Sequence, residues 1–214
     1  MRMDSPEIYE DLKRRLITGG FPPGDKIKPS DLQGHYGCSA NTIRDLLLRL
    51  SSAGLVVSEL QRGFRARMTT AVRRHDVTQF RIILEQEGAA LSMRNGGLRW
   101  ESRLAAAHHK LWHIETEITK EGETETLVEL WSDAETEFHE TLISGCGSDV
   151  LRETYANVYL QFRQQVIAYE REFRRSYFHA IIEEHQAILD AALARDEDRC
   201  RQTIYDHLKR NLEL

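Results

Sequence analysis

Four side chains in the second half of the 214-residue chain have the types and the spacing to hold a metal ion. Glu135 and His139 stand four residues apart in a stretch of helical pattern, so a carboxylate and an imidazole share one helix face. His185 and His207 lie eleven residues to either side of Asp196. Asp196 reads as an N-cap with an acidic first turn, Glu197-Asp198, behind it. An antiparallel helical hairpin about that point sets each ring about 16 Å from the turn, level with the other. One carboxylate and three imidazoles about a point suit a divalent transition metal, Zn²⁺, Ni²⁺, Fe²⁺ or Mn²⁺, with one or two positions open. Asp133 stands six residues before His139, turned away from that face, and ranks below Glu135. The competing reading is plain: eight of the nine histidines follow residue 70, and they can be ordinary packed or surface residues.

A second set of side chains suits a polyanion. Ser39 is a good helix N-cap, and Ile43, Leu46, Leu47 and Leu50 form one apolar stripe behind it as far as Gly54. A short helix over Pro29–Tyr36 precedes it across the turn Gly37-Cys38, which makes a helix-turn-helix. An earlier helix, carrying Ile8, Leu12 and Leu16, stops at the run from Gly19 to Gly24 with its two prolines. After Gly54 the pattern turns strand-like through Leu55-Val56-Val57 and again through Phe64–Met68, a hairpin with Arg62-Gly63 at its tip: the wing of a winged helix. In that frame Asn41, Thr42 and Arg44 occupy the first turns of the helix that enters the major groove, and Ser39 touches a phosphate. Arg62 and Gly63 meet the backbone or the minor groove. A winged helix used only for protein contacts is the alternative.

Charge separates the two parts. Residues 1–70 carry 11 Lys and Arg against 8 Asp and Glu, while the remainder carries 18 against 26, so only the N-terminal part favours a polyanion. From Val77 the pattern is helical to the end, with breaks at Asn95-Gly96-Gly97, near Gly122, at Gly145-Cys146-Gly147, near Ser176 and at Arg195-Asp196. About six helices result. The predicted fold is therefore mainly α: a winged helix-turn-helix over residues 1–70, a connector over 71–76, and an all-helical bundle over 77–214. Charges recur too often for a membrane span, and the first residues lack the apolar core of a signal peptide, so the expected location is the cytoplasm. Three cysteines without a C-x-x-C pair argue against a disulfide framework. Arg81 offers a fork to an effector carboxylate or, equally, pairs with Glu85 four residues on. Trp100, Trp112 and Trp131 fit a core or a dimer interface.

The first domain resembles the DNA-binding domain of GntR-type bacterial transcription regulators. The resemblance lies in Gly20-Phe21-Pro22-Pro23-Gly24-Asp25-Lys26-Ile27, Gly37-Cys38-Ser39, Thr42-Ile43-Arg44, Leu50-Ser51-Ser52-Ala53-Gly54-Leu55 and Arg62-Gly63. Ala40 departs from it, since arginine usually follows the capping serine. The second domain resembles the FCD ligand-binding domain of the FadR branch, in a six-helix form like the VanR-type group. There the landmarks are Arg81-Ile82-Ile83-Leu84-Glu85, Glu135-Thr136-Glu137-Phe138-His139, Glu184-His185-Gln186-Ala187 and His207-Leu208. The resemblance implies an Asp and three His as metal ligands, with Glu135 at the Asp position.

The expected function is a cytoplasmic, homodimeric transcription regulator, acting as a repressor. It would bind a palindromic double-stranded DNA operator and respond to a small carboxylate effector at the metal site. Two other readings stay open: a metal-dependent enzyme using the Glu and His cluster, and a DNA-binding protein whose metal is only structural.

Overall fold

A computed structural model describes residues 3–60, 62–122, 124–169 and 175–212. They fall into two compact units, one from the described residues of Met1–Val77 and Asn157–Arg171, the other from those of Thr78–Ala156 and Glu172–Glu213.

In the first unit α1 (Ser5–Ile17) starts at a reciprocal cap. Glu7 donates its backbone N–H to the Asp4 carboxylate at 2.9 Å, and Asp4 donates its own to Glu7 at 2.8 Å. The buried face Ile8, Leu12 and Leu16 meets α2 (Pro29–Tyr36) and α3 (Ala40–Ser52) in one core with Ile43, Leu47, Leu50 and Leu55. Ser39 caps α3, its hydroxyl accepting the Thr42 N–H at 3.1 Å. The expected wing is β2 (Val56–Glu59) paired antiparallel with β3 (Gly63–Ala66). A third strand escaped the sequence: β1 (Lys26–Ile27) pairs with the other edge of β3, giving the order β1-β3-β2. Two residues show no period of two, so only the pairing identifies them.

The connector is shorter than expected. Residues 71–76 are not a linker but the first turns of α4 (Ala71–Asn95), which starts where the Thr70 hydroxyl accepts the Arg73 N–H at 3.1 Å. The polar run Arg73-Arg74-His75-Asp76 hid that start, and only 67–70 is irregular. Helices α5 (Leu98–Glu121), α6 (Glu125–Ile143), α7 (Asp149–Tyr169), α8 (Arg175–Leu193) and α9 (Glu197–Leu208) follow, then a 3-10 turn over Lys209–Leu212. Ser176, near which a break was expected, lies within α8, and residues 170–174 before it lie outside the described residues. Among the described residues no strand occurs after Ala66, and no helix is long and apolar enough to cross a membrane. In the second unit α5 packs on α6 and α8, and α8 on α9, around Leu111, Ile118, Trp131, Phe138, Phe178 and Ile188. Trp100 and Trp131 are core residues, whereas Trp112 is 39% exposed.

Gly88 lets α4 come close to its neighbours. A Cβ there would stand 2.8 Å from Cβ and Cγ2 of Ile143 and 3.1 Å from Leu151. At an exposed helical site Gly→Ala gains about 1 kcal/mol. Here the overpacking reverses the sign, and Gly88→Ala is expected to cost about 1–3 kcal/mol in urea unfolding. An unchanged or raised midpoint would show that α4 is not so tightly seated.

In the first unit Tyr36 donates to Asp11 at 2.6 Å and accepts from Arg15 at 3.2 Å, tying α2 to α1. Partial burial pushes the Asp11 carboxyl up, but hydrogen bonds from Tyr36 and Arg14 outweigh it and hold it below 3.8. Its contribution to stability is thus full above about pH 3.8 and is lost as pH falls through the lower folded value. Tyr36→Phe is expected to cost about 1 kcal/mol at neutral pH and to reduce the acid dependence of the thermal midpoint between pH 5 and 2.

Candidate metal centre and nucleic-acid interface

Three of the four side chains singled out for metal come together in the core of the second unit. His139 on α6, His185 on α8 and His207 on α9 are all buried, and their ligand-capable nitrogens lie within 4.8 Å of one another. Ring centroids are 4.6 Å apart for His185 and His207, and 5.4 Å from His139 to each. The hairpin that sets His185 level with His207 turns at Arg195, whose φ is 56°, and restarts at Asp196, whose side chain accepts the Arg199 N–H at 3.0 Å.

A carboxylate lies close to the Nδ1 of each ring, as a hydrogen bond at His139 and His207 and as an ion-pair contact at His185. Glu85 on α4 lies 2.5 Å from Nδ1 of His139, Glu115 on α5 lies 2.9 Å from that of His185, and Glu184 on α8 lies 2.8 Å from that of His207. At His139 and His207 that hydrogen bond fixes the tautomer and leaves Nε2 as the ligating atom. Both ring nitrogens of His185 are buried and make no hydrogen bond among the described residues, and a cation beside the ring would satisfy one of them. Burial, then the neighbouring His185, His139 and Arg81 charges, hold His207 well below 6.5. Burial also keeps His139 low against the pull of Glu85, whereas for His185 burial is outweighed by Glu115, Glu135 and Glu184, and its value rises. Four carboxylates, Glu85, Glu115, Glu135 and Glu184, stand around the rings with two guanidiniums, Arg81 and Arg210. Where an ion takes the place of the His185 proton, the described members of this shell are two negative charges in excess, which one divalent cation answers. The donor set and its charge therefore fit a divalent transition metal.

Glu135 stands apart from the trio. Its Oε1 is 3.9 Å from Nε2 of His139 and 4.0 Å from Nη1 of Arg81. Arg81 is fully buried and donates from Nε to Glu85 at 3.0 Å, so of its two expected roles the intrahelical pair is the one seen. Tyr155 donates to the same Glu85 oxygen at 2.8 Å. Burial pushes the Glu85 carboxyl up, but His139, Arg81 and Tyr155 outweigh it and hold it down to about 2. A cleft of about 1100 Å³ flanks α6, lined by Lys110, Asp133, Thr136, Glu137, Arg152 and Tyr155. It touches none of the three histidines. Asp133 is exposed there, away from the cluster. Glu115 gave no signal in the sequence and Glu184 stood only within a landmark run, because an acid on one helix shows nothing of the ring that another helix brings to it.

In the first unit Asn41 and Arg44 are exposed on the first turns of α3, with Ser39 at its start. The Ser39 and Thr42 hydroxyls are 2.9 Å apart, so both also serve the cap. Arg44 lies 5.9 Å from the Phe64 ring at the foot of the wing, and Arg62 and Gly63 are at the hairpin turn. A cleft of about 390 Å³ collects Lys26, Lys28, Ser30, Arg44 and Arg62. Lys26 and Lys28 were not singled out as contacts: Lys26 opens β1, the strand that sequence pattern could not reveal, and Lys28 follows it. Arg49 is turned elsewhere, stacked 4.3 Å over Tyr9 of α1.

The profile of the FCD domain matches residues 76–210, and that of the bacterial regulatory proteins of the gntR family matches residues 5–65. The chain is 29% identical over 209 residues to the HTH-type transcriptional regulator BphR of Paraburkholderia xenovorans (strain LB400), spanning 96% of this chain and 82% of that protein. It is 26% identical over 218 residues to the HTH-type transcriptional repressor GlaR of Escherichia coli (strain K12), spanning 97% and 94%. Among solved structures, McbR/YncC of E. coli shares the fold with a TM-score of 0.79 at 20% identity, over 99% of this chain and 96% of that one. A GntR transcriptional regulator from Rhodococcus sp. RHA1 does so at 0.73 and 23%, over 96% and 94%. These relatives are transcription regulators, which closes the enzymatic reading that the histidines alone left open. The chain belongs to the GntR family of bacterial transcription regulators, with an FCD domain as its second part.

Proposed function

We propose that the chain is a homodimeric repressor of the FadR branch, in its six-helix VanR-type group. Its affinity for a palindromic operator is set by a small carboxylate bound at a metal centre in the FCD domain. One observation carries the reading: three buried imidazoles converge, each with a carboxylate within 3 Å of its Nδ1. His139, His185 and His207 hold the ion, and Glu135, 3.9 Å from the nearest imidazole nitrogen, is the further ligand, directly or through water. A divalent ion there supplies a positive charge and open positions for a carboxylate. Arg81 is the second contact of the effector, and the same guanidinium holds Glu85. The repressor role is supported by the name of the E. coli relative GlaR. In the first domain Ser39, Asn41, Thr42 and Arg44 face the major groove, while Arg62 and Gly63 meet the backbone or minor groove.

A second reading is favoured by the pairing of Arg81 with Glu85 and by the separation of the large cleft from the histidines: the ion is a structural pin within the bundle. Operator affinity with and without a panel of small carboxylates separates the two. The first reading expects a 5- to 150-fold shift, reduced in Arg81→Lys and absent in His207→Ala. A response retained in full by both variants would leave only the pin.

Metal content is expected near one ion per chain, lost on chelation and absent from the His139→Ala, His185→Ala double variant. Glu135→Ala should weaken uptake less than loss of one histidine. Elemental analysis finding no metal, with no uptake of added Zn²⁺, Ni²⁺ or Mn²⁺, would remove the centre.

On the DNA side, Arg44→Ala and Arg62→Ala are each expected to weaken operator binding in gel-shift titrations. Arg62→Ala should reduce the salt slope by about one. Arg49→Ala should change binding little, and Ala40→Arg should tighten it. Neutral behaviour of both Arg44→Ala and Arg62→Ala would overturn the groove assignment.

A further inference from the structure

The three carboxylates that hold the histidines do not stand in equal surroundings. Glu85 also has Arg81 at 3.0 Å and the Tyr155 hydroxyl at 2.8 Å, and Glu184 is paired with Arg210. Glu115 has neither. It is fully buried on α5, among the apolar side chains Leu111 and Ile118 of the same helix face. Its Oε1 accepts the indole N–H of Trp131 at 3.2 Å and lies 2.9 Å from Nδ1 of His185. Its Oε2 is buried without a hydrogen bond among the described residues.

Burying a carboxylate without a fixed cation costs several kcal/mol, and one indole N–H does not offset that. A glutamine or an apolar residue would serve packing better. What the carboxylate adds is charge beside the His185 ring, with no guanidinium on it among the described residues, next to the point where the three rings converge. The same oxygen binds the indole of a tryptophan that is 1% exposed, so a change at His185 reaches a fluorophore through two contacts.

We propose that Glu115 is the positioning residue that sets the affinity of the three-histidine centre for a divalent cation, and that Trp131, bonded to the same oxygen, reports its occupancy. This rests on the metal reading given above. Glu85 and Glu184 orient their rings too, but their charges are largely answered by Arg81 and Arg210.

The test uses the full-length chain and the metals alone. Zn²⁺ affinity is measured by competition with a chromophoric chelator, Co²⁺ uptake by visible absorption, and occupancy by tryptophan fluorescence, with far-UV circular dichroism as the check of folding. Glu115→Ala is expected to weaken Zn²⁺ binding 10- to 100-fold and to shift the Co²⁺ spectrum. Glu115→Gln, which keeps shape and acceptor but not charge, should fall between it and wild type. Trp131→Phe should hold affinity within a few-fold while removing most of the metal-dependent fluorescence change, although Trp100 and Trp112 remain. Should Glu115→Ala fail to fold, Glu115→Gln decides. If wild type binds Zn²⁺ and Glu115→Gln binds it equally with an unaltered Co²⁺ spectrum, the role of Glu115 is overturned and the centre stands. If the fluorescence change survives in Trp131→Phe, the reporter role fails. If wild type takes up no metal, the centre and the proposal fall together.

Discussion

Putting carboxylates inside a helical bundle is expensive, and the second domain is organised around answering that cost. Glu85, Glu115 and Glu184 each meet a histidine Nδ1, two of them with an arginine as well. A buried charge left without such a partner destabilises by several kcal/mol, whereas the completed network fixes ring orientation and tautomer. The members come from α4, α5, α6, α8 and α9, so the centre exists only when all five helices are in register. Close approach of α4 at Gly88, and the turn at Arg195 that levels α8 with α9, serve that register.

The same network explains why the imidazoles suit a metal. Burial disfavours their protonated forms, and for His139 and His207 it prevails over the adjacent carboxylates. These two neutral rings, with Nδ1 engaged, offer Nε2, whereas the carboxylates around His185 favour its protonated form. A divalent ion that displaces that proton answers the excess of carboxylates over guanidiniums among the described residues.

The DNA-binding part works by the opposite rule. Its core of Ile8, Leu12, Ile43, Leu47, Leu50 and Phe64 is apolar, and its cations stay in solvent. Lys26, Lys28, Arg44 and Arg62 gather around one cleft because β1, α3 and the wing hairpin meet there. Positive groups held in solvent remain able to exchange counterions for phosphates, which is where most of the affinity for DNA arises.

Much of this was legible in the sequence, and the reason is local. Ser39 before an apolar stripe, Gly37 in the turn, and Asp196 between two histidines eleven residues away act through helix geometry, which operates within a few turns of chain. His185 and His207 could therefore be paired from spacing alone, and His139 could be joined to Glu135. What the sequence could not carry is any contact whose partners are remote. Strand β1 is only two residues long and exists because β3 pairs with it. The start of α4 at Ala71 lay under a polar run that conceals the helical period. That Arg81 is buried with its Nε on Glu85, and that Glu135 shares a face with His139 yet stands outside the trio, came only with the packing. Glu115 is the plainest case. Seventy residues separate it from His185, and only the packing of α5 against α8 turns an ordinary helical glutamate into a carboxylate that holds a ligand.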